Sequence, residues 1–266
     1  MQLFYTPDHA RVGDVIPYYE NGEFKLFYLK NWNPYFGSDK TYGWHLLTTK
    51  DLIHYESETA IGILGGTGCI IKVEGLYHLY YCVFEDQPQR QYVCHATSTD
   101  LTNWTKYPDE TFGPDESIYL LTDWRDPHVI WNEEEKCWWM ILCAQNQGNT
   151  KRRGCVGLCK SADLHHWTCC EPLYAPQSSM SAYECPDLFY MNGWWYLVFS
   201  QFTDRFQTLY RMSRSCNGPW IRPKTDSFDG RAFYAAKTCS DGEHRYIFGW
   251  NPTRTQNTWN FDPDPT

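Results

Sequence analysis

The sequence predicts an all-β fold, a five-bladed β-propeller with about four antiparallel strands per blade. Three observations predict it. A short aromatic strand recurs five times, with its third position at Phe24, Tyr77, Trp138, Trp195 and Tyr246, at spacings of 53, 61, 57 and 51 residues. Repeats of this length built of strands are blades around an axis, whereas solenoid repeats are usually shorter. Helical periodicity is nearly absent, and 15 Pro and 18 Gly supply many turns.

The elements of a blade follow in order. An inner strand is expected from Asp14 to Tyr19, Gly68 to Val73, Asp126 to Trp131 and Asp187 to Met191. Hairpin signals come next, as Asn21-Gly22, Glu74-Gly75 and Asn192-Gly193. The aromatic strand is second and a Thr- or Ser-containing strand third. Then a second repeat appears: Lys50-Asp51-Leu52-Ile53-His54-Tyr55, Thr99-Asp100-Leu101-Thr102-Asn103-Trp104 and Ala162-Asp163-Leu164-His165-His166-Trp167. Its Asp caps a tight turn, and its aromatic opens the outermost strand. Ser213-Arg214-Ser215-Cys216-Asn217-Gly218-Pro219-Trp220 is a degenerate fourth copy. No linker or low-complexity segment divides residues 1–266, which read as a single propeller domain.

Composition narrows the partners. A net charge of −9 argues against nucleic acid and against a polybasic membrane anchor. No run approaches about 18 apolar residues, so no transmembrane helix is expected. The N-terminus lacks a basic region followed by an apolar run, and a cytoplasmic location is the expectation. Aromatic content of 18% is high, and it fits either a small carbohydrate ligand or the aromatic-rich packing of propeller blades. The 12 Cys contain no C-x-x-C pair, and no His spacing completes a zinc site. They read as reduced structural thiols, with no metal and no cofactor expected. Oligomeric state is not legible.

The aromatic repeat also serves as a ruler for the acids. Counting back from the residue that opens each aromatic strand, Asp14 lies 8 before Gly22, Asp126 10 before Lys136 and Glu184 9 before Gly193. Thr67 holds the matching place in blade two, 8 before Gly75. Inner strands line the axis, so acids at their starts converge at one rim. Each acid alone is explained as a turn cap, a strand end or a structural ion pair. As a set, converging carboxylates repel, burial raises at least one pKa, and the common use of such a pair is glycoside chemistry. Asp14, Asp126 and Glu184 are the expected catalytic residues.

Trp124-Arg125-Asp126-Pro127 and Tyr183-Glu184-Cys185-Pro186-Asp187 resemble the Arg-Asp-Pro and Glu-Cys motifs of glycoside hydrolase family 32, the invertase and fructanase family. Gly13-Asp14-Val15-Ile16 sits where that family has its N-terminal Asp motif, Thr67-Gly68 near its Ser-Gly element, and Phe248-Gly249-Trp250 in its last blade. Trp44 and Lys50-Asp51-Leu52 match the end of its first blade. The resemblance spans nearly the whole chain. It implies a retaining β-fructofuranosidase with Asp14 as nucleophile and Glu184 as general acid and base. Asp126 would bind sugar hydroxyls and stabilise the transition state, and Arg125 would balance charge. Arg125, Trp44, Thr67, Trp32 and Trp124 are the expected substrate-binding residues, with Phe84 a further rim platform. His9, Arg11 and His128 lie next to the motif acids, Gln201 follows the fourth aromatic strand, and His165-His166 reads as solvated surface. The chain departs from the family's usual Asn-Asp-Pro-Asn-Gly at Gly13-Asp14-Val15-Ile16, which bears on specificity. The β-sandwich common at the family's C-terminus is expected to be absent from this chain. Three readings remain alongside: an inverting glycosidase acting on arabinosides or xylosides, a glycoside phosphorylase using Arg11 and Arg125, and a non-catalytic sugar-binding propeller.

Overall fold

The computed structural model describes residues 5–251 apart from 8, 9, 11, 32–42, 88, 149, 181, 203–205 and 231, together with the backbone at 254–255 and 258–259. Each blade is an up-and-down sheet in chain order. Blade one is Val12–Glu20 (β1), Glu23–Lys30 (β2), Gly43–Thr49 (β3) and Tyr55–Ala60 (β4). Blade two is Gly66–Val73 (β5), Leu76–Asp86 (β6), Gln89–Ser98 (β7) and Thr105–Lys106 (β8). Blade three is Tyr119–Asn132 (β9), Cys137–Asn146 (β10), Gly154–Ser161 (β11) and Thr168–Tyr174 (β12). Blade four is Tyr183–Met191 (β13), Trp194–Gln201 (β14) and Gln207–Ser213 (β15), flanked by single bridges from Leu209 to Ser227 and Met212 to Ile221. Tyr234–Ser240 (β16) and Arg245–Trp250 (β17) form the fifth sheet. Four strands per blade therefore hold for three blades; among the described residues the fourth has three and the fifth two.

The innermost strands close a ring: β1 touches β5, β5 touches β9, β9 touches β13, β13 touches β16, and β16 returns to β1. The core is correspondingly divided into five apolar clusters, one per blade interface. Ile16, Phe27 and Trp44 meet Ile70, Leu79 and Tyr81 between blades one and two. Phe24, Leu26 and Tyr28 meet Cys239 and Phe248 between blades one and five. Cys185 and Phe206 meet Tyr234 and Ala235 between blades four and five. The aromatic repeat is thus mostly structural, since one face of each aromatic strand faces a neighbouring blade.

Turn chemistry follows the sequence. Asn21-Gly22, Glu74-Gly75 and Asn192-Gly193 all have positive φ at both positions, the geometry of the favoured two-residue hairpin turn. The Asp-Leu turns are built alike in three blades. Asp51 Oδ1 accepts from the backbone N–H of Ile53 (2.9 Å) and His54 (2.8 Å). Asp100 does so from Thr102 and Asn103, and Asp163 from His165 and His166. The leucine that follows each Asp has positive φ, and its N–H is taken by Thr49, Ser98 or Ser161.

One feature positions the site. All five innermost strands carry a register shift at the same level: Val12/Val15, Gly66/Gly68, Arg125/His128, Glu184/Asp187 and Tyr234/Lys237. These are β-bulges, which bend a strand and re-aim its side chains. In blades three, four and five the bulged residue is Asp126, Cys185 or Ala235, with φ of 57°, 47° and 51°. In blade two the bulge needs glycine, because a Cβ on Gly68 would lie 1.7 Å from the Tyr80 carbonyl oxygen.

Candidate active site

The bulges place the three acids together, Asp14 and Glu184 close to their strand starts and Asp126 well inside its strand. β1, β9 and β13 begin 2, 7 and 1 residues before Asp14, Asp126 and Glu184. The ladder also corrects the register read from sequence. Glu184 pairs across its blade as Arg125 and Tyr234 do, each being the last paired residue before the bulge. Asp126 is therefore equivalent to Cys185, one step further along.

That register explains the hydrogen bonds. Arg125, Glu184 and Tyr234 come from three successive blades at one level. Arg125 Nη2 donates to Glu184 Oε1 at 2.7 Å, and the Tyr234 hydroxyl donates to Glu184 Oε2. Both carboxylate oxygens are held, while the side chain stays 23% exposed. Arg125 is itself fixed by Asp123 Oδ1 at 2.5 Å and Gln91 Oε1 at 3.2 Å, and Gln91 Oε1 also accepts the Trp124 N–H at 2.9 Å.

One step inward lie the two aspartates. The Thr67 hydroxyl donates to Asp14 Oδ2, and Trp250 Nε1 donates to Oδ1 at 2.8 Å. Asp126 is buried, and its Oδ2 accepts the Cys185 backbone N–H at 2.9 Å, a donor the bulge turns inward. Cys185 Sγ lies 3.8 Å from Asp14 Oδ2 and 3.7 Å from Asp126 Oδ2, so it wedges between the two carboxylates. Burial first, and then the Asp126 and Glu184 charges, push Asp14 up to about 6, against the opposing pull of Thr67 and Trp250. Burial also raises Asp126; Arg125 opposes this and the Glu184 charge adds to it. Asp14 keeps a partly exposed face, whereas Asp126 does not.

The other expected residues divide. Thr67 and Arg125 are in contact with the acids, as above. Trp44 and Trp124 are not platforms: they are 2% and 0% exposed, packed between blades, with Trp44 Nε1 bonded to the Gly65 carbonyl. A ring buried on both faces offers none to a sugar. Trp32, His9 and Arg11 lie outside the described residues. Phe84 is 43% exposed. His128 lies on the inner strand but pairs with Asp187, which is locked by the Thr238 N–H and hydroxyl at 2.6 and 2.8 Å. Sequence reasoning missed Tyr234, Trp250, Gln91 and the Cys185 N–H. The ruler could have found Tyr234, which lies 10 residues before His244, the spacing of Asp126 from Lys136. Trp250 stood in a noticed motif with no role assigned. Gln91 belongs to a third-position strand in blade two and carries no repeat signal.

A partly exposed carboxylate, a doubly hydrogen-bonded carboxylate and a buried third one, converging with the Arg125 guanidinium, can carry out nucleophilic and acid–base displacement at an acetal carbon. Comparison with known proteins agrees. The model of the glycosyl hydrolases family 32 N-terminal domain matches residues 15–261, beginning one residue after Asp14. A levanbiose-producing levanase of Bacillus subtilis is 26% identical over 258 residues, covering 88% of this chain and 45% of the relative. A sucrose-6-phosphate hydrolase of Escherichia coli is 28% identical over 243 residues, covering 78% and 48%. Among solved structures, a Bombyx mori GH32 beta-fructofuranosidase superposes with a TM-score of 0.71 at 24% identity, covering 90% of this chain and 55% of that one. The sucrose-6-phosphate hydrolase of Lactobacillus gasseri superposes with a TM-score of 0.72 at 20% identity, covering 90% and 54%. The chain spans about half the length of these relatives.

Proposed function

This chain belongs to glycosyl hydrolase family 32, and from that premise we propose that it cleaves β-fructofuranosides with retention of configuration. The observation that carries the proposal is the asymmetry between Asp14 and Glu184. Asp14 is partly exposed and bonded on both oxygens by neutral donors, so it is an anion above about pH 6 with lone pairs left for attack. Glu184 is aimed by Arg125 and Tyr234, which fix its orientation without burying it.

In the first step an Asp14 oxygen attacks the anomeric carbon as Glu184 gives its proton to the departing glycosidic oxygen. The C–O bond to the leaving group breaks and an ester to Asp14 forms. In the second step Glu184 takes a proton from water, the hydroxide oxygen attacks the same carbon, and Asp14 leaves. Asp126, close to both, faces the positive charge that develops on the ring between the two steps. Levanase, sucrose-6-phosphate hydrolase and beta-fructofuranosidase relatives point to a small β-fructofuranosyl substrate. Arg125 is not free to bind phosphate for a phosphorylase, because Asp123, Gln91 and Glu184 already engage it.

The test is a panel of sucrose, fructans and nitrophenyl glycosides, with product anomers followed by NMR. Turnover confined to fructofuranosides with retained configuration is expected. Inverted product, or turnover of arabinosides or xylosides alone, would overturn the proposal. Saturable binding with no turnover would make the protein a sugar-binding propeller.

A further inference from the structure

A second cluster of titratable groups lies outside the carboxylate site, on the seam between blades two and three. His95 is on β7. Glu110 ends the 3-10 turn Pro108–Glu110, held to that strand by a Tyr107 N–H to His95 carbonyl bond of 3.0 Å. His165 comes from the Asp-Leu turn of blade three. Glu110 Oε2 lies 2.5 Å from His95 Nδ1, and Oε1 lies 2.8 Å from His165 Nδ1. One donor atom from each of the three falls within 4.8 Å of the others.

The cluster is rigidly supported. The His95 ring is 2% exposed and stacked on Tyr80 and Tyr107, with centroids at 4.5 and 5.2 Å. Its Nε2 lies 3.0 Å from His78 Nδ1. The Tyr80 hydroxyl donates to the Leu164 carbonyl at 2.7 Å and so fixes the turn that carries His165. That turn does not need a histidine there. The sister turns carry Ile53 and Thr102 at the same position, and the ring that bonds the capping Asp163 belongs to the next residue, His166. His165 was expected to be solvated surface; it is only 38% exposed and points at Glu110.

We propose that His95, Glu110 and His165 form a three-ligand site for a divalent transition-metal ion of the zinc type, joining blades two and three. Two imidazole nitrogens and one carboxylate are a zinc donor set, while magnesium and calcium prefer all-oxygen sites. His95 offers Nδ1 while its Nε2 engages His78, the outer bond that orients a ligating imidazole. Tetrahedral bonds of about 2.0–2.1 Å separate donors by about 3.3 Å, so the ion replaces the shared protons as donor atoms now within 4.8 Å of one another move by up to about 1.5 Å. None of these residues serves the proposed hydrolysis, and the ion's role would be to clamp the seam.

Chelator-treated full chain titrated with Zn²⁺ by calorimetry tests this, with Co²⁺ absorption as a second probe. One ion per chain is expected, with a Tm that rises as Zn²⁺ is added. Binding should weaken about 100-fold or more in His165→Gln and Glu110→Gln, and about 10- to 100-fold in His78→Gln. His166→Ala should bind as wild type. Metal-free Tm measurements establish that each variant is folded. No saturable Zn²⁺ binding by wild type, or unchanged binding in folded His165→Gln, would overturn the proposal. The second result, with a thiolate-to-Co²⁺ charge-transfer band, would assign the ion to the cysteines.

Discussion

The outer Asp-Leu turns and the axial bulges use the same side chain for opposite ends. In the turns, Asp51, Asp100 and Asp163 sit at the surface and each accepts two backbone N–H groups, which hold their carboxyls far below the usual range. At the axis, Asp14, partly exposed, and Asp126, buried, stand beside other acids and are pushed up. The residue type is constant and the backbone decides. A tight turn points N–H groups at the carboxylate. A bulge points carboxylates at one another and supplies one N–H, from Cys185, to Asp126.

The largest way to break the comparison is to exchange the two kinds of Asp for their neutral counterparts. Asp14→Asn is expected to lower kcat on the order of 10⁴-fold or more, and Glu184→Gln about 10²- to 10⁴-fold. Asp100→Asn should leave kcat/KM unchanged, and steady-state kinetics on a fructofuranoside reads all three. A comparable loss in Asp100→Asn would erase the distinction. Asp126→Asn comes next, with an expected loss of about 10²- to 10³-fold in kcat, the scale of one electrostatic group facing a transition state. An unchanged KM would assign that loss to the transition state rather than to binding.

The pH profile sharpens the comparison further. Asp14 must be ionised to attack, so activity should fall as pH drops through about 6. Thr67→Val removes a bond that stabilises the anion, so its acidic limb should move to higher pH with a few-fold loss near pH 6. A limb that stays in place would remove Thr67 from the site.

Stability gives the smallest effect and the opposite signs. Asp14 has its folded pKa raised, so the folded state holds the proton longer than the unfolded chain does. Its contribution is full below about pH 4 and is lost as pH rises through about 6. Asp14→Asn should therefore be more stable than wild type at pH 7.5, by about 3 kcal/mol, and no more stable at pH 4. Asp100 has its folded pKa depressed, so its contribution is present above the unfolded value and lost as pH falls. Asp100→Ala should lower Tm modestly at pH 7.5 and less in acid. Thermal unfolding at the two pH values compares them.

Much of this was legible in the chain. The hairpin pairs, the Asp-Leu caps and the aromatic strands are local signals, and each folds as its residues dictate. Asp14, Asp126 and Glu184 were found because a repeat converts sequence spacing into spatial level. What was not legible is what depends on the bulge. A one-residue register shift moved Asp126 out of line with Glu184 and brought Arg125 and Tyr234 in. Trp44 and Trp124 look like sugar platforms in sequence because a ring buried between blades and one lying open at a rim are written with the same letter. His95, Glu110 and His165 escaped because they stand at non-equivalent places in the repeat, which the spacing does not bring to one level.

In the proposed mechanism Asp14 becomes covalently attached to the sugar. The direct test is to react Glu184→Gln with an activated β-fructofuranoside, quench in acid, and map the modified peptide by mass spectrometry. A single hexosyl adduct on the peptide carrying Asp14, absent from Asp14→Asn/Glu184→Gln, is the predicted result. An adduct on Asp126, or turnover to inverted product with no adduct, would contradict it.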